Sequence, residues 1–202
     1  MSENDVDVGN LPTIAFGPHT PLWWAEMLTI MILSAMMVTL ISSYLYLRLG
    51  LSGWASPDSP APSLLLPTIC FVVLLITNVP IYRASKAVQR GDRRRTTYGL
   101  ALNFVLAIVF LVLRVSSFKE LGFEWYSSVY ASLVWIIMAF HTILTITAAV
   151  WTGILLGIVL SNKDGEKHQL GIEVDAWYWG FLALSWIPFY FLLFVYPATL
   201  LG

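Results

Sequence analysis

SVYASLVWIIMAFHTILTITAAVWTGILLGIVL, residues 128–160, runs for 33 positions without one Asp, Glu, Lys or Arg. As a helix it rises about 50 Å at 1.5 Å per residue, well beyond the roughly 30 Å hydrocarbon core of a bilayer. It must therefore tilt or project into water. Working outward, four more apolar stretches of near 20 residues or longer occupy 22–47, 63–82, 97–115 and 176–201. Each is long enough to cross a membrane as a helix.

Composition agrees. Of 202 residues, 58% are hydrophobic and 11% charged, against roughly 25% charged in a soluble domain. The charges sit almost wholly between the apolar runs, the pattern of a polytopic membrane protein. The sequence predicts an all-α integral membrane fold, a bundle of five transmembrane helices. A polar segment at 1–21 precedes a single membrane domain at 22–202. No internal repeat or low-complexity tract divides that domain.

Six of the 11 basic residues are Arg83, Lys86, Arg90, Arg93, Arg94 and Arg95. The positive-inside bias places their connector, expected as a loop over 83–96, in the cytoplasm. The N-terminus is then cytoplasmic and the C-terminus external. Adding Lys163 and Lys167 gives eight basic residues inside, against Arg48, Arg114 and Lys119 outside. The first 21 residues hold Glu3, Asp5 and Asp7 but no Lys or Arg, unlike a secretory signal or an Arg-rich presequence. Basic residues in one membrane-flanking loop imply no nucleic-acid partner. Pro57, Pro60 and Pro62 make the first external connector extended. Trp23, Trp24, Trp54, Trp125, Trp177, Tyr178 and Trp179 lie near span ends, as interfacial aromatic belts do.

Membrane haem and copper centres draw on paired imidazoles, Cys or Met at fixed spacing. This chain has three histidines, His19, His141 and His168, and one cysteine, Cys70. A bis-histidine haem or binuclear copper site is excluded on that inventory, as is an intramolecular disulfide. Glu26 is the one acid within an expected span, a functional hypothesis by default. It is either a first-turn carboxylate complementing the helix N-terminus or an inward, proton-linked group. His141 is expected to be a helix-packing residue, with Thr142, Thr145 and Thr147 bonding across helices. Ala149, Gly153 and Gly157 form a four-residue small stripe suited to close helix approach. Asn78, Pro80 and Asn103 read as structural polar or helix-bending features; Glu26, Asn78 and Asn103 could instead line a polar path.

Residues 168–179 read HQLGIEVDAWYW. This resembles the loop and last-helix entry of cytochrome c oxidase subunit III, at His168, Gly171, Glu173, Trp177, Tyr178 and Trp179. YASLVWIIMAFH, residues 130–141, is similar to the family's Ala/Gly-Ser helix ending in His, and WWAEM from Trp23 to its first conserved-type span, with Glu26 at its buried carboxylate. The resemblance covers all five spans in order and suits the five-helix bacterial form. It departs at Leu144, where the family has a second His. It departs again at Gly180 and Ala183, which replace the His and Asp of the last-helix entry, and in 114–118, where the Gln and Glu ending the family's third span are absent.

The resemblance implies a non-catalytic subunit III of a haem–copper terminal oxidase in a bacterial cell membrane, supporting stability, lipid binding, oxygen access and proton uptake. It implies no cofactor on this chain, haem and copper in partner subunits, and structural phospholipids. Oxidase subunits I and II are the implied partners, with other respiratory complexes beyond them. Lys163, Lys167 and His168, in the family's lipid-contacting loop, become headgroup candidates, and Glu26 the proton-linked candidate. An accessory subunit of a nitric oxide reductase, a small oligomeric transporter and an assembly factor are the alternatives.

Overall fold

The computed structural model describes residues 20–51, 54, 63–161 and 166–197. Five helices long and apolar enough to cross a membrane follow one another: α1 (Pro21–Gly50), α2 (Leu65–Gln89), α3 (Arg93–Lys119), α4 (Val129–Leu160) and α5 (Glu166–Tyr190). A π-helical turn, Phe191–Val195, continues α5. The chain is a multi-pass membrane protein. Helices are required because hydrocarbon offers backbone N–H and C=O groups no partner, so each span must satisfy its own.

Local sequence sets the helix starts. Thr20 accepts the Trp23 N–H at 3.1 Å, with Pro21 in the first turn. Asp92 accepts from Arg95 N–H at 3.1 Å and Ser128 from Ala131 N–H at 3.1 Å. Each side-chain oxygen satisfies a donor that has no intrahelical partner.

The loop expected over 83–96 is a correction. α2 continues to Gln89, and α3 starts at Arg93 after a three-residue turn. Gly91 adopts φ +70°, and the Gly91 and Asp92 N–H groups close back on the Val88 and Ala87 carbonyls at 3.0 Å each, a Schellman closure. Lys and Arg are good helix formers whose stems reach along apolar surface while their charges stay wet. The helices therefore run on past the apolar stretch that marked them in the sequence. The same holds for α5, which starts ten residues before the expected 176. His168, Gly171 and Glu173 are helical, where a loop was expected.

α2 and α3 form the most extensive pairing, and α5 packs on α2, α4 and α1. At the α2–α3 crossing, a Cβ on Gly99 would stand 2.8 Å from both Ala84 Cβ and the Pro80 carbonyl oxygen, so only glycine permits this approach. α1 is outermost, with Met37 and Tyr44 its buried residues. Leu33, Leu40, Ile41 and Leu47 pack partly against the core, while Met31, Ile32 and Val38 among others point outward, as suits a surface solvated by lipid.

At the end opposite the basic connector, Tyr44 of α1 donates to the Leu192 carbonyl at 3.0 Å and Tyr130 of α4 to that of Leu193 at 3.2 Å. Tyr190 and Thr68 hydroxyls meet at 2.6 Å. A π turn distorts the regular hydrogen-bond ladder, and tyrosines of neighbouring helices supply partners to its carbonyls. α1, α2 and α4 are thereby tied to the end of α5.

Candidate functional site

One stripe of α5 is sealed inside the bundle: Ile172, Asp175, Trp179, Leu182, Trp186 and Phe189 are each about 1% exposed or less. The spacing alternates three and four residues, which keeps one helix face toward its neighbours. Asp175 is the charged-type residue in that row. Its Oδ2 accepts from the Thr152 hydroxyl of α4 at 2.7 Å, and the same Thr152 oxygen accepts from Trp179 Nε1–H at 3.0 Å. An indole N–H, a hydroxyl and a carboxyl thus form a directed chain between α4 and α5, with Asp175 Oδ1 left unpartnered.

Glu26 lies near the start of α1, on the seam with α5. It is partly buried, its Oε1 is sealed without a hydrogen-bond partner, and it is within charge range of Asp175 and Tyr178. Tyr178 approaches the Thr147 hydroxyl at 3.3 Å. Two carboxyl groups from two helices thus lie within charge range of each other, each with one oxygen that has no hydrogen-bond partner. Two such groups do not make a metal site. Among the described residues no three His, Cys, Asp or Glu come together in a way that could hold an ion.

His141 sits farther along the bundle and is fully buried. Its Nε2 is 3.2 Å from the Leu182 carbonyl oxygen, which requires the proton on that nitrogen. Its ring packs 4.4 Å from Trp186. Beside it lies Arg114, which the charge tally had assigned to the external side. Arg114 is 1% exposed, with Cζ 4.0 Å over the Trp186 ring and 4.9 Å from the Phe110 ring. Aromatic faces stabilise a desolvated guanidinium by about 2 kcal/mol. Cys70 pairs with the Ser117 hydroxyl at 3.3 Å.

The remaining candidates scatter. Thr142, Thr145 and Thr147 bond to carbonyls of their own helix, Met138, His141 and Leu144, rather than across helices; Thr147 alone also faces a neighbour. The small stripe divides. Ala149 is buried and Gly153 packs against Phe104, while Gly157 has nothing within 4 Å of a built Cβ. Asn103 donates across the α2–α3 seam to the Thr77 carbonyl at 2.8 Å, and Asn78 to that of Leu74 in its own helix at 2.9 Å. His168 is half-buried in the first turn of α5, beside Arg93 and Gln169. Lys163 and the Lys167 side chain lie outside the described residues, as does His19. The aromatic belt also divides: Trp24, Trp125 and Trp177 are exposed, whereas Trp179 is interior.

Sequence reasoning missed Asp175 and Thr152, and did not foresee the burial of Trp179 and Arg114. Asp175 fell one residue before the expected fifth span. Its phase with Trp179, Leu182 and Trp186 was the available signal.

The profile of the family described as Cytochrome c oxidase subunit III matches residues 26–198. Proteins named cytochrome c oxidase subunit 3 are similar to this chain. That of Sus scrofa is 28% identical over 131 residues, 65% of this chain and 50% of the relative. That of Petromyzon marinus is 27% identical over 143 residues, 71% of this chain and 55% of the relative. That of Spodoptera frugiperda is 27% identical over 125 residues, 62% of this chain and 85% of the relative. The chain thus spans about half the length of the first two.

Proposed function

The chain belongs to the cytochrome c oxidase subunit III family, and from that membership we propose that it serves as a non-catalytic subunit of a haem–copper terminal oxidase, placed in a bacterial cell membrane with its basic connector in the cytoplasm. The observation that carries the reading is the family match over residues 26–198, which takes in all five helices. The donor inventory supports it, since Asp175, His141 and Cys70 already have separate hydrogen-bonding partners. In this reading haem and copper reside in subunit I and its companion subunit II, and this chain is one five-helix domain packed beside them.

Three contributions follow from the proposal. The chain stabilises the catalytic subunit and leaves an apolar, oxygen-permeable flank. Lys163, Lys167 and His168 meet anionic headgroups at the start of α5, where each basic residue gains about 1 kcal/mol near an anionic surface. Glu26 modulates proton uptake by the neighbouring subunit. The unpartnered Oε1 and the proximity of Asp175 support that role.

Deletion of the chain tests the reading. The remaining complex is expected to keep its haem spectrum and measurable oxygen consumption while losing activity sooner during sustained turnover. Loss of a haem signal with this chain, or its recovery on the isolated chain, overturns the proposal.

A further inference from the structure

A cleft of about 890 Å³ opens between the ends of α2 and α3 at the basic connector. We infer that this cleft binds one anionic diacyl phospholipid, with its phosphate among Arg83, Lys86 and Arg94 and its upper acyl chain in the apolar groove below. The site is distinct from the start of α5 and uses none of its basic residues.

The lining is graded along the membrane axis. On α2 one face carries Arg90, Lys86, Arg83 and Val79 in sequence toward the membrane interior, spaced by three or four residues. On α3 the matching face carries Arg94 or Arg95, then Tyr98, then Leu102. Charge thus lies at the mouth, exposed tyrosines at the middle and apolar side chains at depth. This is the order headgroup, interface and hydrocarbon present in a bilayer leaflet. Val79, Tyr82 and Tyr98 are all largely exposed, so the groove faces lipid rather than the bundle interior. Its floor is fixed where Gly99 lies against Pro80 and Ala84.

Among the described residues, the charge at the mouth is only partly neutralised. Five basic side chains and one carboxylate line the cleft. That carboxylate, Asp92, caps α3 and pairs with Arg95 at 3.2 Å. Arg83, Lys86, Arg90 and Arg94 form no ion pair among the described residues. The volume suits a headgroup with the first part of a chain. A free anion would use only the mouth and leave the groove below unfilled. An acidic protein surface would match the charge but not the apolar depth.

The purified complex containing the full chain, placed in phosphatidylcholine nanodiscs, is titrated with phosphatidylglycerol, and retained lipid is counted by native mass spectrometry. Wild type is expected to prefer phosphatidylglycerol. Arg83→Gln, Lys86→Gln and Arg94→Gln should weaken retention about fivefold per charge removed, while Arg83→Lys with Arg94→Lys keeps it. Leu102→Trp, which fills the groove and leaves the charges, should also weaken it. Unchanged preference in the triple Gln variant overturns the inference. So does full displacement by inorganic phosphate with no effect of Leu102→Trp, which marks a free-anion site. Photocrosslinking from position 98 that captures a protein chain in place of lipid overturns it too. Haem content of the same preparations reports on subunit membership separately, so failure of either reading is told from failure of the other.

Discussion

Thr152 carries two hydrogen bonds on one hydroxyl, donating to Asp175 and accepting from Trp179. Thr152→Val keeps the shape and strips both partners, leaving a buried carboxyl oxygen and an indole N–H unsatisfied. A loss of about 1–3 kcal/mol is expected, seen as a lower thermal midpoint with altered tryptophan emission, and Thr152→Ser should restore most of it. An unchanged midpoint in Thr152→Val would show that the chain of bonds does not hold α4 to α5. Glu26 is different, since one of its oxygens has no partner to lose. In the proposed role, Glu26→Gln leaves assembly and haem content intact but removes a group that relays protons. Proton supply limits turnover most when protons are scarce, so the deficit should grow toward alkaline pH. Activity equal to wild type across the neutral range, over many turnovers, would make Glu26 a structural carboxylate.

At the scale of the helices, close approach is decided at Gly99 and not at Gly157. Gly99→Leu forces α2 from α3 against backbone and should cost about 1–3 kcal/mol or more. Gly157→Leu, with open space around it, should fall within about 0.5 kcal/mol. Comparing the two denaturation midpoints checks the assignment, and equal midpoints would contradict it. The five spans were legible because apolar runs of this length with at most one charge have few other readings. The helix ends were not, because the Arg and Lys that end an apolar run do not end a helix. Polar residues ahead of Ala176 likewise continue α5, which moved His168 and Asp175 from an expected loop onto the helix and hid the Asp175–Thr152 contact. Gly153 and Gly157 look alike in sequence, yet only one meets a neighbour, because a four-residue stripe on a helix of 32 residues outlasts any one crossing. The burial of Arg114 was not legible for a related reason: its shelter between Trp186 and Phe110 depends on two other positions.

For the whole molecule, interior polar contacts such as Thr152–Asp175 and Asn103–Thr77 link helices while many large apolar side chains face outward, so the surface is complete only in lipid or against other membrane subunits. α1, with so little of itself buried, leaves most of one flank for such contacts. In the proposed function this chain is a member of a haem-bearing oxidase and holds no redox centre itself. The most direct measurement is to purify the tagged chain in mild detergent, identify the chains that accompany it, and record the reduced-minus-oxidised haem spectrum with metal content before and after separating them. The account predicts a large haem- and copper-bearing subunit in stoichiometric company, with iron and copper remaining there once this chain is removed. A self-contained homo-oligomer without haem, or stoichiometric iron or copper on the separated chain, would contradict it.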